Sequence, residues 1–293
     1  MAASPGDGFA TMSAMKTAVV TDALSANAYF PIWHTYYGGQ FGARNLYVFT
    51  YARHALAFEG VGIGGLQLIR DDYNDDLRKE AITSFVSQLL ESYEAVIRVD
   101  VDEFLVPDPL KSGSLAERLE NWSGTHITAC GFDIFQTPGE APLDFAQPLL
   151  AQRRTAYALT ALNKTCVTRV PVKWNRGFHY CSLPPEFADV YLLHTKRADI
   201  DHQIAWNERM RSSADRDEFV QTYYAWDAEQ IETYHRNRAR LPLVSDFDAL
   251  TRTAFNEQFK SRVRYAARTQ IFDGPYDVEQ VNVEIPARFL QFF

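Results

Sequence analysis

The sequence predicts an α/β protein of three layers, with helices on both faces of a mostly parallel central sheet. Two observations carry that expectation. Over the first hundred residues, short apolar runs alternate with stretches whose apolar residues recur at helical spacing, a βαβαβαβ rhythm. The composition of the 293 residues, 46% hydrophobic and 23% charged, is that of a globular chain able to bury one large core.

The elements follow in order. TAVVTDAL (17–24) reads as a buried strand, and NAYFPIWHTYYGGQ (27–40) as a helix ending at Gly38-Gly39. NLYVFTY (45–51) is a second strand and LQLIR (66–70) a third, followed by an acidic loop from Asp71 to Asp76. Helical spacing returns through 77–93. EAVIRVDVDEFLV (94–106) is then a fourth strand that runs into charged residues. Ligands of such sheets bind beyond the carboxyl ends of the strands, and Asp22, Asp71 and Asp100 to Glu103 fall at or near those ends.

After Pro107 the pattern changes. Residues 114–122 read as a short helix, with Ser114 and Glu117 spaced for a capping box, and 125–136 as another strand. From about 203 the chain is rich in Arg, Glu and aromatic residues and reads as helical to roughly 238 and again over 247–268. Its arginines are matched by acids, the pattern of a solvated helical face. The expected organisation is a flexible N-terminus (1–15), an α/β domain (16–202) and a mainly helical C-terminal extension (203–293).

Charge and punctuation exclude several classes. A formal net charge of −8 argues against nucleic acid and anionic membrane as broad partners. No run reaches the ~18 apolar residues of a membrane span, and the first fifteen residues lack a basic-then-apolar leader, so a cytoplasmic location is expected. Cys130, Cys166 and Cys181 form no CxxC pair and read as reduced, buried residues. Gly60, Gly62 and Gly65 match the spacing of a dinucleotide loop, but the strand follows them instead of preceding them. That order marks a turn.

The chemistry concentrates in VIRVDVDEFLVP. Strand alternation would aim Asp100 and Asp102 to the same side, as two hard oxygen ligands for Mn²⁺ or Mg²⁺. His194 follows the apolar run VYLL and precedes Thr195-Lys196-Arg197. A neutral imidazole there would complete a mixed oxygen–nitrogen metal site, and Lys196 and Arg197 would hold a diphosphate. Lys164 and the Lys173-Trp174 pair are further candidates for phosphate and sugar contacts. A phosphatase built on DxD would carry that motif near its start, with a small or hydroxylic residue after the second Asp. Here Glu103-Phe104 follows, a third of the way in. A hydrolase and a non-catalytic nucleotide or carbohydrate binder remain the rival classes.

VIRVDVDEFLVP, GFDIFQ, NKTCV, GFHY and LLHTKRADIDH together resemble the family 2-like glycosyltransferases of GT-A fold, over roughly residues 16–202. The resemblance implies a donor that is a nucleotide-diphosphate sugar and an acceptor that is a carbohydrate or other hydroxyl compound. It implies a divalent metal held directly by Asp102, with Asp100 on the ribose or metal and His194 closing the site. Thr21, Asp22 and Asp71 would line the nucleotide pocket. An inverting transferase also needs a base for the acceptor hydroxyl, for which Asp133 is the first candidate and Glu103 the second. The C-terminal helices would then cover the acceptor side or mediate homo-oligomerisation.

Overall fold

A computed structural model describes residues 15–23, 28–69, 74–212 and 224–293. The expected N-terminal segment therefore lies, apart from Met15, outside the described residues, as does Asp71.

Strands β1 (Thr17–Asp22), β2 (Leu46–Tyr51), β3 (Gly65–Ile69) and β4 (Ala95–Arg98) form the parallel half of the central sheet, in the order β3-β2-β1-β4. Alternation along these strands feeds two separate cores. Val19 and Ile97 pack with helix α1 (Tyr29–Phe41), whereas Val20 and Val96 pack with Ile82 and Val86 of α2 (Asp75–Leu89). One helix on each face gives the three expected layers.

The second half extends the sheet with antiparallel pairings. β8 (Thr165–Thr168) joins β4 to the first residues of β6 (His126–Phe135), and β7 (Thr155–Ala158) pairs with the C-terminal half of β6. β9 (Phe187–Arg197) pairs parallel with β6 and antiparallel with β5 (Glu103–Pro107). The anticipated single strand over 94–106 is thus two strands, β4 and β5, broken at the DxD. The break changes the geometry, because the alternation argument for Asp100 and Asp102 no longer applies.

Three tyrosines of α1 tie this break down. The Tyr36 and Tyr37 hydroxyls donate to the Leu105 and Glu103 carbonyls at 2.6 and 3.1 Å, and Leu105 N–H donates to the Tyr37 hydroxyl. The Tyr29 hydroxyl donates to the Thr195 carbonyl at 2.6 Å. Three tyrosine hydroxyls of a helix buried by its aromatic face thereby find partners on the backbone of the two site strands.

Helix α3 (Leu115–Glu120) is capped by Ser114, whose Oγ accepts from Glu117 N–H; the Glu117 carboxylate reaches back to Gly113 N–H instead of to Ser114. A four-residue helix, α4 (Leu149–Gln152), precedes β7. The expected boundary at 202/203 falls inside α5 (Ile200–Ser212). Helix α6 (Ala228–Ala239) and the helical segment 247–262 follow, but the C-terminal region also contributes strands. β13 (Asn282–Glu284) pairs with β7, and β10 (Leu243–Val244) pairs with β13. Phe289 and Ile285 sit in the same core as α1, so residues 203–293 are knit into the sheet and do not stand apart from it. β11 (Arg264–Ala266) and β12 (Ile271–Asp273) form a separate antiparallel pair. All three cysteines are buried and free, as expected. Among the described residues no helix is long and apolar enough to cross a membrane.

Candidate functional site: a charged cavity at the strand ends

A cavity of about 380 Å³ opens at the carboxyl ends of β1 and β4. Its lining includes Asp22, Asp100, Asp102, Lys164, His194, Lys196 and Arg197 from the sequence expectations. These residues are separated by up to 175 positions and meet only through the sheet.

The turn after β4 is locked by reciprocal bonds. Glu103 N–H donates to the Asp100 carbonyl at 3.0 Å, while Asp100 N–H donates to the Glu103 carboxylate at 2.9 Å. Thr195 then donates both its N–H and its hydroxyl to the Asp102 carbonyl, at 2.8 and 2.9 Å. The two halves of the DxD are thus anchored to different partners, and their carboxylates face different surroundings.

Asp100 is a charge-paired residue. One of its oxygens lies 2.7 Å from Arg98 Nη2 and 3.4 Å from Arg78 Nη2, and the other 3.2 Å from Lys164 Nζ. Burial would raise this carboxyl, but Arg98, then Lys164 and Arg78, outweigh it and hold it well below the ordinary carboxylate range. The same Arg98 Nη2 also contacts Asp22 at 2.6 Å, and Arg78 donates twice to Asp22. Arg98 is only 3% exposed, and its guanidinium carbon stands 3.5 Å from the Phe178 ring centroid. Lys164 Nζ lies 2.5 Å from Glu103 as well; burial opposes its charge, but Glu103 and Asp100 raise its pKa. Sequence reading missed Arg78 and Arg98: both sit in segments that read as ordinary helix and strand, and only the sheet places them against Asp22 and Asp100.

Asp102 meets His194 instead. Register pairs His194 with Glu103 across β5 and with Asp133 across β6, which sets the imidazole between three acids. Its Nδ1 donates to Asp133 at 2.7 Å, leaving Nε2 toward the cavity, 3.8 Å from Asp102 Oδ2. Burial disfavours the charged imidazole, yet Asp102, Asp133 and Glu103 together raise its pKa above the ordinary value.

The two candidates for a base do not line the cavity. Asp133 is 1% exposed, with one oxygen on His194 and the other 2.6 Å from Arg197. Against the cost of burial, Arg197 and His194 lower it to about 2. Glu103 is fully buried, and its carboxylate is taken up by Lys164 and Asp100 N–H. A carboxylate held this way cannot reach an acceptor hydroxyl, so each is better described as a positioning group. Thr21 is likewise fully buried in β1 and off the lining, Trp174 is core, and Lys173 is exposed away from the cavity.

The fit to a metal rests on one pair. Among the described residues no three His, Cys, Asp or Glu side chains converge as a ligand group. Asp102 and His194 supply one carboxylate and one imidazole, and Asp133 fixes the imidazole through its second nitrogen, the usual outer-shell partner of a ligating histidine. A divalent ion that keeps open positions for water and substrate phosphates fits two such protein ligands.

No protein-family profile matches the chain, and no curated protein does. Among solved structures it is similar in outline to mannose-1-phosphate geranyltransferase from Thermus thermophilus, at 11% identity, with 92% of this chain and 74% of that one covered and a TM-score of 0.31. It is also similar to CMP:2-keto-3-deoxy-manno-octonic acid synthetase complexed with CTP, at 12% identity, with 75% and 86% covered and a TM-score of 0.26. At these scores neither likeness carries weight for the site, which is read from its own residues.

Proposed function

We propose that this protein is a glycosyltransferase that moves a sugar from a nucleotide-diphosphate donor to an acceptor hydroxyl, with Mn²⁺ or Mg²⁺ held by Asp102 and His194. One observation carries the reading. The DxD turn, His194 and the cations Lys164, Lys196 and Arg197 line a single cavity at the ends of parallel strands, in a protein of net charge −8.

The metal, when bound, supplies positive charge to the diphosphate as it leaves. The chain's own residues do the rest. Asp133 keeps His194 in one tautomer and orientation. Lys164, Lys196 and Arg197 add fixed positive charge where the leaving group gains negative charge. Asp22 and Asp100, clamped through Arg98, form the floor on the β1 side, where the nucleoside would bind. The Asp100 ion pairs also disfavour a phosphatase, whose aspartate nucleophile must be free to attack.

The test is calorimetric titration of UDP, GDP, CDP and dTDP, each with and without Mn²⁺. Tight binding of one nucleotide only with metal is expected. Binding of none of them under either condition would overturn the reading.

A further inference from the structure

Gln203 on α5 lines the cavity although only 3% of it is exposed. One end of its amide lies 3.0 Å from Nε2 of His235 on α6. The other end has no hydrogen-bond partner among the described residues and is left to the cavity. The two ends have the same shape, so hydrogen-bond balance decides which faces which way.

His235 settles that balance. It is 1% exposed, and its Nδ1 lies 2.9 Å from the Gln136 carbonyl oxygen. A carbonyl oxygen only accepts, so Nδ1 carries a proton. Burial outweighs the help of that hydrogen bond, with Arg197 adding to it, and pushes the imidazole below its ordinary pKa. A neutral ring protonated at Nδ1 has a bare Nε2, which needs a donor. Gln203 can donate only through its NH₂.

We propose that Gln203 turns its NH₂ to His235 and presents its carbonyl oxygen to the cavity, as a fixed acceptor that selects a hydroxyl of the transferred sugar or its acceptor. A phosphate or carboxylate at that point would set oxygen lone pairs against each other, so the anionic part of the substrate belongs with Lys164, Lys196 and Arg197. The identity of the hydroxyl-bearing ligand rests on the nucleotide-sugar reading of the cavity; the orientation of the amide does not.

Long-range ¹H–¹⁵N spectra of the imidazoles test the orientation. His235 is expected as the neutral Nδ1–H tautomer from about pH 6 to 8. An Nε2–H tautomer or an imidazolium over that range would overturn the proposal. Gln203→Glu removes the donor, so His235 is expected to become cationic in that variant; an unchanged His235 spectrum would also overturn it. For the ligand, Gln203→Met is compared with wild type on UDP-glucose, GDP-mannose and the matching nucleoside diphosphates. The ratio of nucleotide-sugar to nucleoside-diphosphate affinity is expected to fall about tenfold, the loss of one hydrogen bond. An unchanged ratio would remove the sugar hydroxyl as the group selected. Absence of nucleotide-sugar binding to wild type, with the Nδ1–H tautomer present, would overturn the transferase reading and leave the amide orientation standing.

Discussion

The Nδ1 atom of His194 lies 2.7 Å from Asp133, a buried carboxylate, while its Nε2 faces Asp102 at 3.8 Å across the cavity edge. This carboxylate–imidazole–carboxylate line links the sheet interior to the charged pocket and separates two roles. Asp102 borders the cavity, whereas the buried Asp133 carboxylate contacts His194 and Arg197.

Asp102→Ala is therefore expected to abolish metal-dependent nucleotide binding while leaving the fold in place, because the side chain borders open space and holds up no core element. Calorimetry with Mn²⁺ and thermal melting would check both halves. Undiminished Mn²⁺-dependent affinity would sink the metal assignment.

Asp133→Asn keeps the shape but removes the charge that orients His194. Loss of such an outer-shell carboxylate costs ~10–100-fold in metal affinity, so Mn²⁺-dependent nucleotide binding is expected to weaken by that factor. A change of less than about twofold would show that His194 does not depend on its partner.

Lys164 balances Glu103 and Asp100 inside the protein. Lys164→Met leaves buried Glu103 without its paired cation, while Asp100 keeps Arg98 and Arg78, and is expected to cost about 3 kcal/mol in urea unfolding. Adding Glu103→Gln should recover part of that loss. A double variant no more stable than the single one would argue against the pair as the source.

His179 donates from Nδ1 to the Ala161 carbonyl at 2.6 Å, and burial, with Lys164 adding to it, lowers its pKa to about 3. The unfolded chain takes up the proton near the ordinary value of about 6.5, while the folded protein does not. The unfolded state thus binds more protons between these values, and stability falls as pH drops below about 6.5. From pH 6.5 to 5.5 wild type should lose on the order of 1 kcal/mol more than His179→Gln. Parallel pH profiles in urea titrations would refute the assignment.

Gly131, in the middle of β6, passes so close to the turn at 160–162 that an added Cβ would run into the Leu162 backbone. That turn carries Asn163, whose side chain accepts from Gly131 N–H, and then Lys164. Gly131→Ala is expected to destabilise by roughly 1–3 kcal/mol through overpacking. Wild-type stability of the variant would mean the turn yields without cost.

Much of the fold was legible along the chain. The four parallel strands and the two helices between them announce themselves by local periodicity, since a strand buried on both faces must be apolar throughout and a covering helix apolar on one side. The break at the DxD was not legible. The apolar run EFLVP continues the pattern of AVIR, and only the pairing of β5 with β9 instead of with the parallel half shows that the chain turns at Asp100. β13 was hidden for a similar reason: three residues are too short to display a period, and their partner β7 lies more than a hundred positions away.

The sequence by itself determined which groups are available: two aspartates after an apolar strand, a histidine ahead of two cations, and enough apolar residues to bury an α/β fold. Only the tertiary structure decided what each group does. It gave Asp100 to Arg98 and Lys164, Asp102 to the cavity, and Asp133 to His194 and Arg197. The reason is physical. Local pattern follows from the side chains of neighbours in sequence, whereas the charge state and reach of a carboxylate follow from the cations and burial that the sheet brings to it across many residues.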